Sequence, residues 1–385
     1  MNLLPLPFDA PLSKYVEQAQ QLLAAHAKAD PDAISLFHNK HPRFLDDKVK
    51  WLPRNLEDRE IENAELSIDD ARLTIARWYD FRDWQALTDF VAAATVTDSP
   101  VARFEAAVAA VVNGNAASLQ HLIEQDPQLV HARSTRLTHF DPNLHECTLL
   151  HYVGANGVEG HNQKTPDNAV EIARILLEAG AGPDSLCSLY GGRCTTMSLL
   201  VSSCHPAQKG VQSALAELLI DYGASLTDKG EGNWTSPVLT ALVFGYNDTA
   251  ETLVRRGAAV DTLPLAAGLG YLADVERLYP SAGAEDRHKA FALAAQLGQT
   301  PVVKFLLDAG EDPNRYNPPG THAHSTPLHQ AICAGRFETV KLLVERGART
   351  DIEDTIHHGT ALGWATYLKQ TEIERYLRER LGKLA

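Results

Sequence analysis

No Cys-x-x-Cys pair occurs in this chain, and its five cysteines, Cys147, Cys187, Cys194, Cys204 and Cys333, form an odd and scattered set. That pattern argues against a disulfide framework and fits thiols kept reduced as small buried hydrophobes. Long apolar runs are missing as well: no window approaches 18 consecutive apolar residues, so no membrane-spanning helix is expected. The opening MNLLPLPFDAPLS lacks a basic stretch and is broken by Pro5, Pro7 and Asp9, which does not read as a signal peptide. Basic charge is short. With 35 Lys and Arg against 49 Asp and Glu, the net charge of -14 repels phosphate backbones and sets nucleic acid aside as a partner. A soluble, cytoplasmic protein without membrane contact is the expectation.

Catalytic motifs are also wanting. There is no Gly-x-Ser-x-Gly elbow, and neither Gly191-Gly192-Arg193 nor Gly230-Glu231-Gly232 is followed by the Lys-Ser/Thr of a phosphate-binding loop. His145-Glu146-Cys147-Thr148-Leu149 begins like a zinc-protease helix, but Leu149 stands where a second histidine is required. No catalytic residue, cofactor or metal is assigned on this basis.

What the chain does contain is helical period and repetition. In the first hundred residues, Val16, Ala19, Leu22 and Leu23 share a face of a helix over 13–29 with Ser13 as its cap. A short helix follows Asp30-Pro31 and ends near Pro42, and residues 42–57 read as irregular. Ser67-Ile68-Asp69-Asp70 starts a further helix, and Trp84, Leu87, Phe90 and Val91 mark another. The aromatics Trp78, Tyr79, Phe81 and Trp84 read as core, since no basic residues surround them as a base-stacking platform requires.

Beyond Pro100 a ten-residue frame recurs, clearest at Thr326-Pro327-Leu328-His329 with Ala331-Ile332 and a closing Gly335. Matches begin at Glu105, Thr148, Thr195, Ser236, Asp261, Lys289, Thr326 and Thr360, each followed by a second-helix pattern such as PVVKFLLDAGEDPN or ETVKLLVERGARTD. Small pairs such as Ala266-Ala267 and Ala294-Ala295 let inner helices approach, and leucine-rich second helices fill the space between units. In this frame His151 and His329 are expected to brace the hairpin turn that precedes each helix. Frame spacings of 43, 47, 41, 25, 28, 37 and 34 residues depart from the usual repeat of about 33, so several units carry insertions.

These features resemble the ankyrin repeat, T-P-L-H-x-A-A-x-x-G in its signature. The segments LLHYVGANGVEG, TTMSLLVSSCHPAQKG, YNPPGTHAHSTPLHQA and HHGTALGWA, with DARLTIARWYDFRDW upstream, resemble bacterial ankyrin-repeat proteins with an N-terminal helical region. The expected fold is all-α, an ankyrin-repeat solenoid of about eight partly degenerate units over 101–385, capped by a helical region over 1–98. The resemblance implies a binding module whose concave finger and inner-helix surface grips an unknown protein or peptide.

Candidate binding residues come from the lengthened fingers: Tyr190, Arg193, Trp234, Tyr316, Asn317, His322, His324 and His358. Tyr, Trp and Arg are interface-anchoring types, bringing area or bidentate bonding at low entropic cost. His322 and His324, two apart on an extended segment, would face one side and could serve a metal, with Asp354, His357 and His358 on the neighbouring finger. The alternative reading is therefore an enzyme or a metal or small-molecule binder built on these His, Tyr and Arg residues.

Overall fold

The computed structural model describes residues 3–49, 51–227, 230 and 236–382. Trp234 lies outside the described residues. Two compact units divide the chain, one comprising Met1–Ala224 with Lys229–Gly232 and the other Ser225–Asp228 with Asn233–Ala385.

The first unit begins with five helices, α1 (Leu12–His26), α2 (Pro31–Lys40), α3 (Asp58–Glu62), α4 (Ile68–Trp78) and α5 (Trp84–Ala94). The start of α1 differs from expectation. Pro11 takes the cap position and makes no side-chain bond, and Ser13 is already inside the helix. A fixed proline φ just ahead of the first turn suffices to launch the helix there. Elsewhere the local chemistry decides as read. Asp30 accepts from Asp32 N and Ala33 N at the start of α2, and Ser67 with Asp70 forms a reciprocal capping box at α4. The buried faces of α1, α2, α4 and α5 join around Tyr15, Leu22, Phe37, Ile75, Phe81 and Leu87, with Trp78 and Trp84 packed against them. The aromatic stripe is core.

Three helix pairs follow in the same unit. They are α6 (Pro100–Asn113) with α7 (Ala116–Gln125), α8 (Leu149–Val153) with α9 (Ala169–Glu178), and α10 (Thr196–Leu200) with α12 (Gln212–Asp221), between which α11 (Cys204–Gln208) is inserted. Before α10 the chain makes a finger from strands β1 (Cys187–Leu189) and β2 (Gly192–Cys194), antiparallel with Cys187 opposite Cys194. Tyr190 and Gly191 turn this finger with φ of 54° and 75°, as a two-residue hairpin with both central residues left-handed demands.

The second unit holds five pairs among the described residues. The first three are α13 (Pro237–Val243) with α14 (Asn247–Arg255), α15 (Leu263–Leu269) with α16 (Leu272–Leu278), and α17 (Ala284–Leu297) with α18 (Thr300–Asp308). The last two are α19 (Pro327–Cys333) with α20 (Phe337–Glu345), and α21 (Ala361–Tyr367) with α22 (Thr371–Gly382). Ala266, Ala267, Ala294 and Ala295 are fully buried between inner helices, and Val303, Leu306, Val340 and Leu343 close the layer behind them. No single pair covers its own apolar face; neighbours do.

Glycine ends the second helices as the repeat requires. Gly180, Gly223, Gly257, Gly310 and Gly347 have φ between 92° and 105°, a region costly for a residue with a Cβ. At the close of the inner helices two other residues adopt that conformation, Ala155 at φ 47° and Lys369 at φ 57°. The ten-residue frame also misplaces two helix starts. α6 and α17 each begin five residues ahead of the frame because no hairpin finger precedes them, so the chain winds another turn. Ser99 caps the first of these turns, and Glu285 and Asp286 favour the second through the helix dipole.

Candidate functional site

The finger over 316–325 is built from its backbone inward. Asn317 N donates to Ser325 O at 2.8 Å, and its amide Nδ2 reaches His322 O at 3.4 Å, closing the loop on itself. Asn317 is buried and holds the finger's shape. His322 Nε2 donates to Val243 O at 3.1 Å, tying the finger to α13, and burial lowers the pKa of this ring. Tyr316 keeps half its surface exposed while its hydroxyl donates to Glu353 O at 2.7 Å on the next finger. His324 lies between His322 and Trp364, with ring centroids 6.1 Å away on either side.

The neighbouring finger is organised by Asp354. One carboxylate oxygen accepts from Ile356 N (2.9 Å) and His357 N (2.7 Å), and the other from Gly359 N (2.9 Å) and Trp364 Nε1 (2.9 Å). Burial works to raise this carboxyl's pKa, but four N–H donors outweigh it and hold it at about 2. Trp364 is thereby fixed beside His329, whose Nδ1 engages Thr326 and whose Nε2 donates to Gly359 O at 3.1 Å. His151 repeats the arrangement with Thr148 and Ser185 O (2.9 Å). Both histidines are the turn braces expected of them.

Next to Trp364 an open groove of about 510 Å³ is lined by Cys333, His357, Gly359, Gly363, Trp364, Tyr367 and Leu368. Its wall is apolar, and Tyr367 stands 85% exposed at its edge. Sequence reasoning passed over Trp364 and Tyr367 because both fall within a repeat frame, where aromatic residues read as packing. The deviation available in the sequence was an aromatic pair, Trp364 and Tyr367, within one frame.

His358 points outward, 76% exposed with Nδ1 3.9 Å from a Glu353 carboxylate oxygen, and does not join His322 and His324. Among the described residues no three His, Cys, Asp or Glu side chains converge to hold a metal ion. In the first unit Tyr190 leans its hydroxyl onto Asn156 Oδ1 (3.1 Å) and Gly157 O (3.2 Å), and Arg193 lies exposed on the same hairpin. The adjacent cavity, lined by Cys147, His151, Tyr152, Asn156 and Glu159, measures about 20 Å³, room for a single water.

A buried charge cluster in the first unit was not visible in the sequence. Arg136, fully buried, lies 2.8 Å from Glu105 and 3.3 Å from Glu159, and its Nη1 donates to His161 Nε2 at 2.9 Å. Its guanidinium also stacks 4.4 Å over Phe8, with Phe81 and Phe90 at 5.4 and 5.1 Å. Two carboxylates share one cation. Burial raises Glu105 to about 7 against the pull of Arg136, with Glu159 adding to the rise. The cluster joins the N-terminal helices to the first repeats.

Residues 263–354 and 291–383 match the family described as ankyrin repeats (3 copies). Ankyrin repeat and SAM domain-containing protein 6 of Mus musculus is 36% identical over 107 residues, 28% of this chain and 12% of that protein. Ankyrin repeat and KH domain-containing protein mask-1 of Caenorhabditis elegans is 27% identical over 215 residues, 54% of this chain and 8% of its own length. An ankyrin repeat-containing protein of Treponema pallidum is 30% identical over 144 residues, covering 37% of this chain and 40% of that one. The chain spans only a small part of the first two relatives. The fold is an all-α array of ankyrin repeats.

Proposed function

We propose that this protein is a binding module that takes a protein or peptide segment on the fingers and inner helices of its second unit, with Tyr367 and Trp364 as anchors. The exposure of Tyr367 beside an apolar groove carries the reading, because an aromatic ring on a firmly held wall gives contact area at little entropic cost. Trp364 is held by Asp354 and His329, so that wall is preorganised. Tyr316 and His324 extend the same face; Asn317 and His322 shape it. His322 is engaged on a backbone carbonyl and His358 stands apart, which leaves the enzyme alternative with fewer of its residues assembled. In the first unit Tyr190 and Arg193 present a second contact surface.

The region 1–98 acts in this reading as a helical cap for the array. We also infer kinship with bacterial ankyrin-repeat proteins, supported by the Treponema relative, and a cytoplasmic setting, supported by five free thiols. No helix of the described residues is long and apolar enough to cross a membrane. The acidic net charge supports a protein partner over a nucleic acid.

A photo-crosslinking amino acid at position 367 tests the site, with position 338 on the outer helix α20 as control. A discrete adduct from 367 and not from 338, lost when Gly363→Leu fills the groove, is the expected result. A Cβ at Gly363 meets only Thr360 Oγ1, at 3.6 Å, so the substitution blocks the groove without forcing the helix apart. Equal adducts from both positions would remove this face as the binding site.

A further inference from the structure

A second cleft, of about 530 Å³, lies in the first unit between the loop around Pro42–Trp51 and the tip of the finger over 138–143. Two antiparallel contacts fix its sides. Leu45 pairs with Pro53 to shape the loop, and Phe81 pairs with Thr138 while Arg82 N donates to Leu137 O at 2.9 Å. Asn143 Nδ2 donates to Thr138 O (3.0 Å) and Phe140 O (2.9 Å), which folds the fingertip over the cleft.

Arg77, near the end of α4, lines this cleft half-buried. Its Nε is buried and unbonded, and among the described residues no carboxylate comes within ion-pairing distance of it. The acids around it are engaged elsewhere. Asp80 accepts from Gly160 N at 2.7 Å and lies 3.4 Å from His161, and Asp83 accepts from Ala86 N and Arg82 Nε at 2.8 Å each. His139, another lining residue, has a buried Nδ1 with no partner, and burial pushes its pKa down to about 4, so the ring is neutral. Unbonded buried polar groups are costly, and natural proteins keep few of them outside sites where something else completes the bond.

The rest of the lining indicates what would complete it. Trp51, 65% exposed, faces the cleft with Phe140, Pro42 and Leu45. Asp46, Asp47 and Asp141 also line it. Asp47 pairs with Arg54 at 3.1 Å and Asp46 accepts from Lys48 N and Val49 N at 2.8 Å each, while Asp141 is exposed. One unpaired guanidinium among carboxylates disfavours a multiply charged phosphate and matches a molecule that carries a single carboxylate together with an ammonium.

We propose that this cleft binds a small zwitterion of the amino-acid class with an aromatic or apolar side chain. Its carboxylate meets Arg77, its ammonium meets the carboxylates Asp46 and Asp141, and its side chain packs on Trp51 and Phe140. The site is separate from the protein-binding groove and stands or falls independently of it.

Calorimetric titration of the full chain with L-phenylalanine, L-tryptophan and L-leucine, beside phenylacetate and phenethylamine, tests the proposal. Saturable binding is expected for at least one amino acid, about 10-fold weaker for phenylacetate and undetectable for phenethylamine. Arg77→Gln should abolish it and Trp51→Ala should weaken it several-fold, the latter at an exposed position with no part in folding. Without ligand, Arg77→Gln should melt at or above the wild-type temperature, since it removes a partly desolvated cation that has no ion pair among the described residues. The proposal is overturned if none of the three amino acids saturates up to about 10 mM, if Arg77→Gln binds as wild type does, or if phenethylamine binds as well as phenylalanine.

Discussion

In the second unit inner helices meet through Ala266, Ala267, Ala294 and Ala295, with Leu306 and Leu343 behind them. In the first unit the junction of the N-terminal helices with the first repeats is formed around the buried guanidinium of Arg136, two carboxylates and three phenylalanine rings. Regular repeats can use interchangeable apolar packing because each interface resembles the next. A junction between unlike elements has no such template, and a directional charge cluster specifies one arrangement at the expense of desolvation.

The sharpest way to break this contrast is Arg136→Met, which strands Glu105 and Glu159 without their cation. The first unit should lose about 3 to 5 kcal/mol in denaturant unfolding. Adding Glu105→Gln and Glu159→Gln to it should recover a large part. If Arg136→Met alone is neutral, the cluster specifies nothing and both units rest on apolar packing. In the second unit the matching change is Leu306→Ala, at a fully buried position. A loss of about 3 kcal/mol is expected, within the range for buried leucine truncation.

Asp354→Ala comes next. The wild-type carboxyl is held at about 2, below its unfolded value of roughly 3.9, so its contribution is full above pH 4 or so and is lost as pH falls toward 2. The variant should be less stable by about 2 kcal/mol near neutral pH, and the difference should vanish in acid. A pH-independent difference would mean that lost packing and not the charge is responsible. The opposite sign is expected at Glu105, whose pKa is raised in the folded state. Its stabilising contribution is present below about pH 4.5 and declines as pH rises through about 7. Glu105→Gln should therefore flatten the decline in this window, read from melting at a series of pH values.

The repeat frame, the eight helix pairs and the two bracing histidines were readable because each depends on residues a few positions apart. Thr326 and His329, three residues apart, close a capping interaction on one helical turn, and Gly310 ends a helix by its own left-handed backbone. The site was less readable. Asn317 and His322 were singled out as binding residues, but one closes its finger and the other bonds Val243 O, 79 residues earlier. Trp364 was not singled out, and it becomes part of a wall because Asp354 fixes its indole.

By itself the sequence determined an all-α array of ankyrin repeats, its unequal fingers and its helical start, since periodicity, caps and glycine turns act within one or two turns of chain. Only the tertiary structure decided which polar side chains find partners. Arg136 is paired with Glu105 and Glu159, 31 residues before it and 23 after, whereas Arg77 has no ion pair among the described residues. Composition carries no trace of that difference, because whether a buried charge is satisfied depends on which distant groups the fold brings within about 3 Å of it.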